Sequence, residues 1–274
     1  MSGDAPLLAV EHLFKSFGGL AAVKNVSFAL HAGEMLALIG PNGAGKTTCF
    51  NMVGGQLVPD AGAVRLAGTP ITGLRPDAIW RLGVGRTFQI AETFASLTVL
   101  ENVQMALLSH ARRVLRAWRP ARPQFRDDAL ALLDGVGMAA QAERATSVLA
   151  YGDVKRVELA MALAHAPRLL LMDEPTAGMA PAERNELMSL VRTLSRERGI
   201  GVLFTEHSMD VVFGQADRII VLARGELIAE GPPDAVRADA RVREVYFGGG
   251  TTFAAPLPAA GGGAHAGAPR SAHA

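Results

Sequence analysis

Nine consecutive residues constrain this chain most: Gly40-Pro41-Asn42-Gly43-Ala44-Gly45-Lys46-Thr47-Thr48. They fit the phosphate-cradling pattern G-x-x-x-x-G-K-[ST], with Gly40, Gly45, Lys46 and Thr47 at the fixed places. Before them runs Met35-Leu36-Ala37-Leu38-Ile39, an apolar strand-like segment. After them Thr48 to Val53 continues as a helix. A glycine-rich turn without a ligand does not need those flanks. Glycines let the backbone turn tightly and bring its N–H groups close to an anion. The helix that follows points its positive end at the same place. Lys46 then adds a full charge near the β- and γ-phosphates, and the Thr47 hydroxyl suits Mg²⁺.

The rest of the chain alternates strand-like and helical runs, an α/β pattern. Leu7 to Lys15, Val26 to Leu30 and Ala63 to Leu66 read as strands, with turns at Gly18-Gly19 and Pro59-Asp60-Ala61-Gly62. Phe17 precedes the first turn. It fits an ordinary core aromatic, or an exposed ring that stacks on a purine. Pro76 to Arg81 is helix-like, and Val84 to Gln89 reads as a strand ending in a polar residue. From Ile90 to Leu149 the character changes. Segments near Val99–His110 and Arg126–Val136 show helical periodicity, giving a helical insertion of roughly 60 residues. Between them lies a basic stretch, Arg112 to Arg126. It reads as a solvated connector, or as a contact with anionic lipid or a partner. Gly152 to Ala166 and Pro181 to Arg198 are helical. Arg168 to Met172 and Gly201 to Thr205 are buried strands. Arg218–Leu222 and Glu226–Ala229 form a hairpin, and short helices follow near Pro233–Arg237 and Arg241–Tyr246. Residues 249–274 are rich in Gly, Ala and Pro and are expected to be disordered.

Composition narrows the class. With 49% apolar residues, a chain of 274 residues can bury a substantial core. Lys+Arg 27 against Asp+Glu 26 leaves no basic footprint for nucleic acid. Cys49 is the single cysteine, so no intrachain disulfide forms, which agrees with a reducing compartment. Met1 to Pro6 has no signal-peptide character, and no apolar run is long enough to span a membrane. A cytoplasmic, soluble protein that docks on something else is expected.

Open α/β sheets place their sites at the C-terminal ends of strands. Polar residues end three apolar runs here: Gln89, the pair Asp173-Glu174, and His207. An acidic residue ending a hydrophobic strand in a phosphate-loop protein is the expected Mg²⁺ partner, here Asp173. Glu174 is placed to orient or deprotonate an attacking water. Gln89 would hold the water or the metal. His207 reads as a γ-phosphate contact, or as a hydrogen-bonded structural histidine.

Taken together, the phosphate loop, Arg86-Thr87-Phe88-Gln89, Leu149-Ala150-Tyr151-Gly152-Asp153, Leu170 to Thr176 and His207 resemble the nucleotide-binding subunit of an ABC transporter. The resemblance covers residues 7 to about 248. Within the family, Gly18 to Val23, Glu206-His207-Ser208-Met209-Asp210 and the ending Tyr246-Phe247-Gly248 look like the LivG type, which powers import of branched-chain amino acids in bacteria. It implies a P-loop NTPase (RecA-like) core with an antiparallel β subdomain and an α-helical subdomain. The cassette would span residues 1–248, with the helical part at about 90–150. Two cassettes would close head to tail on two molecules of ATP with Mg²⁺. Phe17 then resembles the adenine-stacking aromatic, and Ala150, Tyr151, Gly152 and Asp153 would reach the partner's nucleotide. The helical insertion, with the surface after Gln89, would receive a coupling helix. Two membrane permease subunits and, indirectly, a periplasmic or surface substrate-binding protein are implied. The location would be the cytoplasmic face of the bacterial inner membrane.

Two departures from the family pattern stand out. Ala150 and Asp153 occupy places where the commonest signature has Ser and Gln. Ala180 stands where the segment after Thr176 usually ends in Asp. Both changes fall on sites shared with a partner, which points to non-equivalent sites in a heterodimer. Three other readings compete. A lipopolysaccharide-export ATPase should carry the signature Ser. A soluble ABC protein of translation carries two cassettes, and one of DNA repair carries coiled coils or zinc sites. A P-loop kinase or GTPase needs neither the signature segment nor His207.

Overall fold

The segments Met35–Ile39 and Gly201–Thr205 are buried at every position. Strands with no exposed face belong inside a sheet that is covered on both sides. The computed structural model, which describes residues 5–87, 93–111 and 125–247, places them so. In chain order the elements are β1 (Leu8–Phe17), β2 (Leu20–Leu30), β3 (Met35–Ile39), α1 (Lys46–Val53), β4 (Ala61–Leu66), β5 (Thr69–Pro70), α2 (Pro76–Arg81) and β6 (Val84–Thr87). Then follow α3 (Val99–His110), α4 (Arg126–Gly135), α5 (Tyr151–Leu163), β7 (Leu169–Asp173), α6 (Pro181–Arg198) and β8 (Gly201–Thr205). The described chain ends with α7 (Met209–Gln215), β9 (Arg218–Ala223), β10 (Glu226–Gly231), α8 (Pro233–Ala238) and α9 (Ala240–Phe247).

The larger sheet has the order β10-β9-β3-β8-β7-β6. Its β3 runs parallel to β8 and β9, and β7 runs parallel to β6 and β8; only β10 pairs antiparallel. Alternation along these strands builds two cores. Met35, Ala37, Ile39, Met172, Val202 and Phe204 face one that α3, α4, α5 and α6 complete. Leu36, Leu38, Leu169, Leu171 and Leu203 face the other, closed by α1 and the smaller sheet. That sheet is antiparallel, in the order β2-β1-β4-β5. Burying a side chain such as Phe50 or Leu38 contributes about 1.5–3 kcal/mol, so a two-faced sheet outweighs any single polar contact.

The helical region is tied down by polar groups. Thr98 Oγ1 accepts from Glu101 N at 3.1 Å, and Glu101 Oε2 accepts from Thr98 N at 3.0 Å, a reciprocal cap on α3. Asn102, fully buried, donates from Nδ2 to the carbonyls of Phe94 and Thr98 and to Thr146 Oγ1, at 3.1, 2.9 and 2.9 Å. Its Oδ1 accepts from Phe94 N at 2.8 Å. One side chain thereby joins the loop before α3, the helix itself and the segment before α5.

The structure differs most from the sequence reading at two places. β2 begins at Leu20, well before the expected Val26, because Leu20 and Ala21 pair with Phe17 and Ser16 of β1. α7 was not anticipated. It is short and contains Gly214, and it persists because Val211 and Val212 are fully buried against the first core. The expectations for Gln89, for most of the Arg-rich stretch and for the 249–274 tail lie outside the described residues. Among the described residues no helix is long and apolar enough to cross a membrane.

Candidate active site

The loop between β3 and α1 is shaped by its glycines. Gly43 and Gly45 have φ of +78° and +99°, a region that disfavours side chains. A Cβ at Gly45 would collide with the Ala22 carbonyl, and one at Gly40 with that of Leu222. The loop therefore passes close against β2 and β9 as bare backbone, a cradle that fits a phosphate chain. Lys46, the first residue of α1, is largely buried. Its Nζ donates to the carbonyls of Gly40 and Pro41 at 2.7 and 3.1 Å. Burial lowers its pKa, and the carboxylates of Glu174 and Asp173 oppose that shift. The ammonium thus lies among acceptors at the mouth of the cradle.

Three neighbouring strand ends face this loop. β8 lies between β3 and β7, and Asp173 pairs with Thr205 across the β7–β8 ladder. Thr205 Oγ1 donates to Asp173 Oδ1 at 2.6 Å and accepts from Glu174 N at 3.1 Å. Glu174 N also reaches the Thr205 carbonyl at 3.1 Å. These contacts hold Glu174 at φ +47°, a strained conformation for a residue with a side chain. The strain turns the carboxylate toward His207, whose Nε2 lies 2.8 Å from Glu174 Oε1. Arg86 Nη2 stands 4.0 Å from Asp173 Oδ2 and donates to Asn51 Oδ1 at 2.9 Å.

Phe17, the 42–48 loop, Glu174 and His207 line one groove of about 320 Å³. Phe17 is half exposed at its edge, which removes the core-aromatic reading. The Thr47 hydroxyl and the Asp173 carboxylate are hard oxygen donors of the kind Mg²⁺ takes. Ala150, Tyr151, Gly152 and Asp153 do not line the groove. They open α5, where Ala150 offers no side-chain cap and Asp153 Oδ2 accepts from Gln141 Nε2 at 3.1 Å. Tyr151 is exposed and packs beside Gly178, so the signature segment and the loop after Thr176 form one surface. Ala180 leads into α6 without a carboxylate, and Glu183 Oε2 accepts from its N–H at 3.3 Å.

Two residues of this constellation were not singled out from sequence. Thr205 is the last residue of an apolar strand, and only the register with Asp173 shows its use. Glu206 is buried; its Oε1 accepts from Thr176 N and Oγ1 at 2.9 and 2.6 Å, and its Oε2 accepts from His207 N at 3.2 Å. The acidic residue beside His207 was the available signal, because a buried carboxylate needs partners.

Residues 23–177 match the ABC transporter family model. The chain is 40% identical over 250 residues to the high-affinity branched-chain amino acid transport ATP-binding protein LivG of Salmonella typhimurium, covering 89% of this chain and 98% of that one. It is 32% identical to a probable LivG of Methanocaldococcus jannaschii, covering 90% and 100%. A solved ATP-binding cassette of an ABC transporter in its ADP conformation superposes with a TM-score of 0.81 at 31% identity, covering 90% of this chain and all of that one. A dimeric bacterial ABC transporter cassette gives 0.70 at 28% identity, covering 82% and 98%. The chain belongs to the ABC transporter family and is one of its nucleotide-binding ATPases. Within that family, residues 226–251 match the model of the branched-chain amino acid ATP-binding cassette transporter, which favours the importer type over the export and soluble readings.

Proposed function

We propose that this chain is the ATP-hydrolysing subunit of a bacterial importer of branched-chain amino acids, or of a related small polar substrate such as an amide or urea. The observation that carries the hydrolytic reading is the meeting of Lys46, Glu174 and His207 in one groove, with Asp173 beside them at the end of β7. The names of the relatives and the match at 226–251 support the substrate class.

In this reading the loop N–H groups and Lys46 bind the β- and γ-phosphates, and Phe17 stacks on the adenine. Thr47, Asp173 and Gln89 hold Mg²⁺, which when bound with ATP spreads the charge of the phosphates. Glu174 takes the proton from an attacking water. His207 holds the Glu174 carboxylate in place and lies within reach of the γ-phosphate. The surface formed by Ala150 to Asp153 and the 178–180 loop completes the site of a sister cassette in a head-to-tail pair. A second cavity of about 340 Å³, lined by Trp80, Arg86, Thr87, Ala106 and Glu158 among others, suits a coupling segment of a permease subunit. The assembly would sit on the cytoplasmic face of the inner membrane, fed by a substrate-binding protein.

The test is uptake by vesicles holding this chain, its sister cassette, the permease pair and the cognate binding protein. ATP-dependent uptake of leucine, isoleucine or valine is the expected result. Uptake of amides or urea alone would move the substrate class. ATP turnover that no such solute stimulates, with no uptake, would overturn the importer reading.

A further inference from the structure

Phe17 ends β1 at the tip of a hairpin, before Gly18 and Gly19 at φ +55° and +87°. A half-exposed ring at a tip has little packing to fix it. What fixes it here comes from outside the hairpin. Asp60 lies just beyond the last β1–β4 pair, Phe14 with Ala61. Its backbone N–H donates to the Phe14 carbonyl at 2.9 Å. Its carboxylate then takes the place of the next residue in the ladder. Oδ2 accepts from Ser16 N at 2.8 Å and from Ser16 Oγ at 3.2 Å. Oδ1 accepts from Lys15 Nζ at 2.6 Å.

These contacts decide where two neighbours of Phe17 sit. Ser16 is held directly through its main chain. Lys15, held by the ion pair, carries its ammonium over the Phe17 ring, 5.7 Å from the centroid. A lone surface ion pair contributes little. A carboxylate that also accepts a main-chain N–H is a stronger device, since it substitutes for a ladder hydrogen bond and is charge-assisted. The Lys15 hydrogen bond, then that of Ser16 N, holds the Asp60 carboxyl below the usual carboxylate range.

We propose that Asp60 is a positioning residue for the purine base. By fixing Lys15 and Ser16 it sets the ring of Phe17, so the base-dependent share of nucleotide affinity depends on Asp60. The inference rests on the stacking role of Phe17 given above.

The test compares ATP with inorganic tripolyphosphate, each with Mg²⁺, by titration calorimetry on the full chain. Asp60→Ala is expected to raise the Kd for ATP about three- to tenfold, part of the affinity of one base stack. The Kd for tripolyphosphate should stay unchanged, which a general loosening of the fold would not allow. Asp60→Asn, which keeps an acceptor for Ser16 but no charge for Lys15, should fall between. Phe17→Ala combined with Asp60→Ala should be no weaker than Phe17→Ala alone. If Phe17→Ala weakens ATP while Asp60→Ala does not, the positioning role is overturned and the stacking stands. If Asp60→Ala weakens both ligands equally, the positioning role is again overturned. If Phe17→Ala leaves ATP affinity unchanged, the stacking fails and the inference fails with it.

Discussion

At the residue scale the proposed chemistry turns on Glu174. Its main chain is strained and is held by Thr205, and its carboxylate meets His207 at 2.8 Å. Strain kept at one position by several hydrogen bonds marks a residue that must point one way. Glu174→Gln preserves shape and removes the proposed base. Turnover in the assembled transporter should fall about 10²–10⁴-fold, with ATP still bound, as measured by phosphate release beside nucleotide titration. Turnover at the wild-type rate would remove Glu174 from the role of base. Cys49, by contrast, is fully buried in α1, and burial raises its pKa to about 12. It packs as a small hydrophobe and has no thiolate chemistry at neutral pH.

At the element scale the helical region depends on few polar ties. Thr98 caps α3 from the edge, whereas Asn102 is buried and serves four partner atoms. Thr98→Ala should cost about 1 kcal/mol, the ordinary worth of a cap. Asn102→Ala removes the acceptor of the Phe94 N–H and one of the partners of the Phe94 carbonyl, the Thr98 carbonyl and Thr146 Oγ1, and should cost about 2–4 kcal/mol. Urea unfolding of the full chain measures both. Equal costs would show that water reaches the Asn102 site and replaces its hydrogen bonds.

At the scale of the whole molecule, the groove holds only part of the expected site. The signature segment at the start of α5 lies elsewhere, with Ala150 and Tyr151 exposed and Tyr151 beside the 178–180 loop. Head-to-tail pairing would give each nucleotide one chain's loop and the other's signature. A homodimer would then place Ala150 at both sites and lack a carboxylate at position 180 twice. A donor aimed at transition-state charge is worth about 3–4 kcal/mol in a dry site, so one weakened site is tolerable and two are not. The isolated chain should therefore be a poor ATPase. In vesicles, Lys46→Ala should damage uptake more than the matching change in the sister cassette. Equal defects would abolish the case for unequal sites, and full activity from this chain as a homodimer would abolish the case for a sister.

The sequence by itself determined the features whose causes are local. Glycines at 43 and 45 answer a backbone requirement within the loop, and fully apolar runs announce strands covered on both faces. Polar residues that end those runs pointed to Asp173, Glu174 and His207, and the last two line the groove. Only the tertiary structure decided which strand lies beside which. Periodicity tells which face of a strand is buried, but pairing partners distant in sequence leave no mark on it. The order β3-β8-β7 brings Lys46, His207 and Glu174 together, and the register of Asp173 with Thr205 gives that threonine its use. Pairing with β1 carried β2 back to Leu20 and left Phe17 at an exposed tip. Burial of Val211 and Val212 held α7 against its short length. The tie from Asp60 to Lys15 and Ser16 spans more than forty residues of chain, and it exists because β4 folds back along β1.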